Sequence, residues 1–134
     1  MNVNDHIYLD ACSTTPTRKE VIGLVADISS NCWGNPSSVH TFGVNAAEIL
    51  ERARKNIANI LCASTSDVIF TSGATESINL ALRGLSKFLK PGRIVLSSVE
   101  HPSVIRAAQQ LEKLNWEIVY WPVDQNGMIN LDYL

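Results

Sequence analysis

Two short segments carry residue types that could do chemistry, and each lies where an apolar run gives way to an amphipathic one. The first is Thr71-Ser72-Gly73-Ala74-Thr75-Glu76. Its small residues would let an anion reach backbone N–H groups at a helix start, where the helix dipole favours negative charge, and Thr75 adds a hydroxyl. Neither the phosphate-loop pattern ending in Gly-Lys-Ser/Thr nor the GxGxxG dinucleotide pattern occurs, so the chemistry implied is a monophosphate cradle. The same residues would serve equally as an ordinary capped turn. The second segment is Glu100-His101-Pro102. A histidine at a strand end can stack on a ring or exchange protons near neutral pH. Read as structure alone, it is a loop histidine preceding a helix, and it should carry chemistry rather than stability. A third stretch, Trp33-Gly34-Asn35-Pro36-Ser37-Ser38-Val39-His40, is rich in turn formers. It reads as a binding or interface loop, or as a plain connection between helices.

The elements around these segments follow from hydrophobic period. Residues 18–30 predict a helix capped by Thr17, with Val21, Leu24, Val25 and Ile28 on one face. Residues 44–61 predict a second, its apolar stripe running through Ala47, Leu50, Ala53, Ile57 and Ile60. Ile7-Tyr8-Leu9 is a short β-favouring run. From residue 68 the order becomes strand (68–71), helix (75–89), strand (93–99), helix (102–114) and strand (117–123), with Pro102 at the favoured first helical position. Gln125-Asn126-Gly127 predicts a turn, and Asn130 a cap for a helical turn begun by Leu131. Alternation of this kind predicts an α/β fold with a mostly parallel sheet, in which ligands sit at the carboxyl ends of strands. Both segments occupy that place.

Composition narrows the function classes. The 134 residues are 46% hydrophobic and 18% charged, which suits a packed domain and not a disordered chain. A net charge of −2 gives no support to nucleic-acid binding. No apolar run is long enough to span a bilayer, and the first ten residues lack a signal-peptide pattern, so a cytoplasmic location is expected. Cys12, Cys32 and Cys62 are widely spaced and form no metal-ligand pattern with His6, His40 or His101. They read as reduced, structural thiols, and no metal is expected.

Together these segments resemble the cysteine desulfurases of the NifS/IscS type, within the class V aminotransferase group of fold-type I enzymes that use pyridoxal 5'-phosphate. The resemblance rests on Tyr8-Leu9-Asp10 with Thr14-Thr15-Pro16, on GNPSSVHTFG from Gly34 to Gly43, on FTSGATESINLAL from Phe70 to Leu82, and on EHPSV from Glu100 to Val104. It implies the N-terminal part of a three-layer αβα fold, incomplete in this chain. Residues 1–16 would belong to the small domain or the substrate mouth, and residues 17–134 to the first part of the large cofactor-binding domain. It implies that Ala74 and Thr75 bind the cofactor phosphate and that His101 stacks on the pyridine ring and helps move protons. The loop from Gly34 to His40 would lie near a homodimer interface and the active-site mouth.

The resemblance also implies what this chain lacks. The family's Ser-His-Lys segment and Ser-rich cysteine loop do not occur here, and Cys12 departs from the family's usual small residue with no catalytic role assigned. The implied function is the N-terminal portion of an enzyme that takes sulfur from L-cysteine. Alanine and an enzyme persulfide would result, for iron–sulfur cluster or thio-cofactor assembly with a sulfur-acceptor or scaffold protein. The alternatives are another class V enzyme, such as a selenocysteine lyase or aminotransferase, and a non-catalytic remnant or split-enzyme half. The partner implied in each enzymatic case is the rest of the enzyme or a second subunit. The resemblance further implies that strand 68–71 is not adjacent to the next two.

Overall fold

The computed structural model describes residues 6–133, and the chain divides into two compact units, one ending at Val68 and the other beginning at Ile69.

The first unit holds two helices. Helix α1, Lys19–Asn31, begins one residue later than expected, with Arg18 rather than Thr17 at the N-cap and no side-chain cap. Its apolar face is present but uncovered: Leu24 and Val25 stay more than half exposed, and the helix buries no residue. Helix α2, Thr41–Ile60, starts three residues before the predicted 44. The reason is His40, whose Nδ1 accepts the Gly43 N–H at 3.3 Å and so satisfies one orphan donor of the first turn. Small residues, Gly43, Ala46 and Ala58, are what α2 buries, whereas Ile60 is 81% exposed. After α2 a 3-10 turn, Thr65–Asp67, is closed by a capping box with Ser64. The Arg54 guanidinium then donates to the Val68 carbonyl.

One β-favouring run and one expected strand form no strand among the described residues. Residues 7–9 run without strand pairing, and Ile7 and Leu9 are exposed. The exposed Tyr8 instead donates its hydroxyl to the following turn, 2.9 Å from the Thr14 carbonyl and 2.8 Å from that of Asp10. Residues 68–71 join no strand of the sheet among the described residues, with Ile69 66% exposed. Extended backbone becomes a strand only beside a neighbour that completes its hydrogen-bond ladder, and the described residues offer none here.

The second unit is a helix followed by one β-α-β crossover. Helix α3 spans Ala74–Ser86, and the chain then turns through residues 87–92. Strand β1, Arg93–Ser97, pairs in parallel with β2, Glu117–Trp121, in a register that sets Ile94 beside Ile118 and Ser97 beside Trp121. The β-branched Ile and Val positions suit this pleated surface. Directly opposite one another, Arg93 and Glu117 form an ion pair at 2.9 Å. Helix α4, Pro102–Glu112, makes the crossover and packs on β2 and α3. The core lies beneath it, where Leu96, Ala107, Ala108 and Leu111 are nearly sealed from solvent. The expected turn forms: the Asp124 carboxylate accepts the Asn126 and Met128 N–H groups, and Gly127 takes φ 79°. Asn130 caps the 3-10 turn Leu131–Tyr133 through its side-chain oxygen. No helix among the described residues is long and apolar enough to cross a membrane.

Candidate active site

Two of the predicted site residues, Thr75 and His101, line one cleft between α3 and α4, and Ala74 is not among its lining residues. The cleft has a volume of about 370 Å³ and is lined by Thr75, Asn79, His101, Pro102, Ser103, Arg106, Ala107 and Gln110. Thr75 and His101, singled out from different motifs, thus face the same space. No carboxylate and no lysine lines it, and Arg106 supplies its full positive charge.

The α3 wall is built by the turn that precedes it. Ser77 N–H closes onto the Gly73 carbonyl at 3.1 Å as the first bond of the helix. The N–H groups of Ala74, Thr75 and Glu76 come before that bond and have no partner within the helix. Glu76 reaches back and accepts the Ser72 N–H at 2.7 Å and the Ser72 hydroxyl at 2.6 Å. Those two bonds, the hydroxyl's first and the backbone's second, hold the Glu76 carboxyl below its ordinary value. Glu76 is therefore committed to the turn itself. On the other side, the Thr71 and Ser77 hydroxyls meet at 2.7 Å. Thr75 keeps its hydroxyl unclaimed among the described residues, while its carbonyl accepts from the Asn79 amide at 2.9 Å. A Cβ built on Gly73 would meet nothing within 4 Å, so space in front of the turn is open.

The α4 wall starts at His101, which lies past the carboxyl end of β1 as the sequence predicts. The structure gives it a second duty. Its Nδ1 accepts the Ser103 N–H at 3.2 Å, which makes it the N-cap of α4. The expectation that His101 carries little stability is corrected on this point, because an N-cap side chain stabilises its helix by about 1 kcal/mol. Nε2 has no partner among the described residues and remains available to the cleft.

These groups fit one half of a pyridoxal phosphate site. Unpartnered N–H groups at a helix start, the free Thr75 hydroxyl and the open space at Gly73 suit a phosphate dianion. An imidazole edge on the same cleft suits an aromatic ring. No lysine lines the cleft to anchor the cofactor aldehyde. Ser103, Arg106 and Gln110 were not singled out from sequence, although with Ala107 they fall at i, i+3, i+4 and i+7 counted from Ser103 and so mark one helical face. Asn79 was missed too, and its signal was the i+4 step from Thr75.

The GNPSSVHTFG segment belongs to the first unit, and its glycines are explained by close packing. A Cβ on Gly34 would lie 2.2 Å from the Phe42 carbonyl oxygen, and one on Gly43 would lie 2.2 Å from that of Ser38. Trp33 stacks on Phe42 with ring centroids 5.3 Å apart. All three cysteines are free, and no His, Cys, Asp and Glu cluster among the described residues could hold a metal.

Known proteins match this chain in sequence and in fold. The family model for aminotransferase class-V covers residues 7–134. The chain is 43% identical over 130 residues to the cysteine desulfurase IscS of Dictyoglomus turgidum, an alignment covering 96% of this chain and 33% of that protein. It is 40% identical over 129 residues to cysteine desulfurase IscS 1 of Archaeoglobus fulgidus, covering 95% and 34% respectively. Among solved structures, a NifS-like protein superposes with a TM-score of 0.82 at 32% identity, over 90% of this chain and 34% of that one. The apo cysteine desulfurase of Thermococcus onnurineus gives 0.83 at 29% identity, over 96% and 33%. This chain spans about a third of the length of the curated relatives it matches. By sequence and by fold, it belongs to the aminotransferase class-V family.

Proposed function

We propose that this chain supplies the phosphate cradle and ring-facing wall of a pyridoxal phosphate-dependent cysteine desulfurase. The enzyme would release alanine from L-cysteine and pass the sulfur on as an enzyme persulfide. The observation that carries the reading is the shared cleft: Thr75 at the start of α3 and His101 at the start of α4 line one space of about 370 Å³. Relatives named as cysteine desulfurases support the choice of reaction within the class V group.

Each residue has a defined part. The Ala74 and Thr75 N–H groups and the Thr75 hydroxyl bind the phosphate, with the α3 dipole favouring its charge. Glu76, through Ser72, holds the turn so that these donors point outward. His101 covers one ring face and holds or moves a proton at Nε2. When bound, pyridoxal phosphate supplies the electron sink for cleaving bonds at the substrate's amino-bearing carbon. The lysine and the nucleophilic cysteine would come from the rest of the enzyme, whose family partners include a second subunit and a sulfur acceptor. In that enzyme residues 1–16 would serve the small domain or substrate mouth, and residues 17–134 the large domain.

The test is substrate-resolved turnover in the complete protein with pyridoxal phosphate. Equal yields of alanine and persulfide sulfur from L-cysteine are expected. Turnover confined to L-selenocysteine, or amino-group transfer without sulfur release, would overturn the desulfurase assignment in favour of another class V reaction. Loss of cofactor binding on Thr75→Val together with His101→Asn is the companion expectation for the cleft.

A further inference from the structure

Ser103 is half-buried on the cleft side of α4, and its hydroxyl lies 2.7 Å from His101 Nδ1, closer than its own backbone N–H at 3.2 Å. We propose that Ser103 is a positioning residue that fixes the orientation and proton placement of His101. The proposal rests on the reading of His101 as the ring-facing group.

A neutral imidazole has one bare nitrogen and one N–H. Nδ1 faces the Ser103 N–H, so it is the bare nitrogen, and the ring proton sits on Nε2, the edge left to the cleft. The hydroxyl donates to the same bare nitrogen. The tautomer protonated at Nε2 accepts from both Ser103 donors, whereas a proton on Nδ1 would face the backbone N–H and forfeit that bond. The hydroxyl's contact is the shorter of the two, so its loss should weaken the preference for that tautomer. Arg106 supplies the full charge on the cleft, and no carboxylate lines it to draw a proton onto Nδ1.

The test is histidine 15N NMR on the cofactor-free full chain in alkaline solution, where the imidazole is neutral. The variants are Ser103→Ala and Ser103→Thr, with His101→Asn to assign the signals. The parent chain is expected to show widely separated Nδ1 and Nε2 resonances, the mark of a single tautomer. Ser103→Ala should draw the two together, and Ser103→Thr should restore the separation. Unchanged separation in Ser103→Ala, or no restoration by Ser103→Thr with native amide spectra, would overturn the proposal. Should the alanine variant lose its fold, the near-isosteric pair Ser103→Thr and Ser103→Val makes the same comparison. Added pyridoxal phosphate then separates the two readings. If Ser103 behaves as stated but the cofactor leaves the His101 Nε2 resonance unmoved, the assignment of His101 to the ring has failed and the positioning role has not.

Discussion

His101 does two things that different substitutions separate. Its Nδ1 caps α4 through the Ser103 N–H at 3.2 Å, and its Nε2 edge faces the cleft. His101→Ala removes both. The ring is exposed, so little apolar burial is lost, and the stability change should be that of a missing N-cap, about 0.5–2 kcal/mol. At about 1 kcal/mol the folding equilibrium falls roughly fivefold. His101→Asn removes the ring but offers an amide oxygen, one of the best N-cap acceptors, so its stability should match the parent within a few tenths of a kcal/mol. Urea unfolding followed by circular dichroism measures this difference. Both variants should then lose the parent's cofactor absorption band and slow turnover in the complete protein, because neither has an imidazole. Equal stability of the Ala and Asn variants would refute the cap. A parent-like cofactor spectrum in the stable Asn variant would refute the ring assignment.

Thr75→Val should weaken cofactor binding by about 1.5–3 kcal/mol, roughly 10- to 150-fold, since a hydroxyl bonded to a charged phosphate is lost; an absorbance titration in the complete protein reads it. Gly43→Ala should cost at least about 1–3 kcal/mol in thermal or urea unfolding, because the new methyl group would lie 2.2 Å from the Ser38 carbonyl oxygen and 2.7 Å from that of Asn35. Gly23→Ala in α1, where nothing lies within 4 Å of the new atom, should instead stabilise by about 0.5–1 kcal/mol. The Glu76 and Asp124 carboxyls are both held below their ordinary values by hydrogen bonds, so each adds stability above the unfolded carboxylate range of about 4. That contribution should be lost as pH falls through the lowered folded values, and Glu76→Gln should flatten the acid limb of the unfolding curve. The 134-residue chain alone should produce no alanine from L-cysteine above a cofactor-only blank.

The parts of the fold legible in sequence are those whose partners lie nearby in the chain. Strand β1, helix α4 and strand β2 follow one another, and each apolar pattern there meets a covering surface: Leu96, Ala107, Ala108 and Leu111 are buried as their spacing demands. The turn at Gly127 and the caps at His40 and His101 are also local, although the capping role of both imidazoles was not foreseen. Histidine is an uncommon cap, and its type suggested chemistry first. Less legible were the segments whose partners are remote. The Leu24 and Val25 face of α1 has the period of a core helix and no cover among the described residues, and residues 68–71 have strand composition without a neighbouring strand. Periodicity reports which face seeks burial and does not supply the surface that provides it.

That distinction explains why the cleft is formed although, among the described residues, the sheet has two strands. The position of Thr75 depends on the turn before α3, and the turn is held from within: Glu76 takes both donors of Ser72, and Thr71 meets Ser77. The position of His101 depends on the end of β1 and the start of α4, each fixed by contacts inside the β1-α4-β2 crossover. Packing of α3 against α4 then brings the two together without requiring residues 68–71 to pair. A third strand beside residues 68–71 would add ladder hydrogen bonds and cover Ile69 and Phe70. It would not need to move the donors that face the cleft. The two walls of the cleft are in this sense preassembled by short-range structure, and in the proposed enzyme the remainder would add reactive groups and burial.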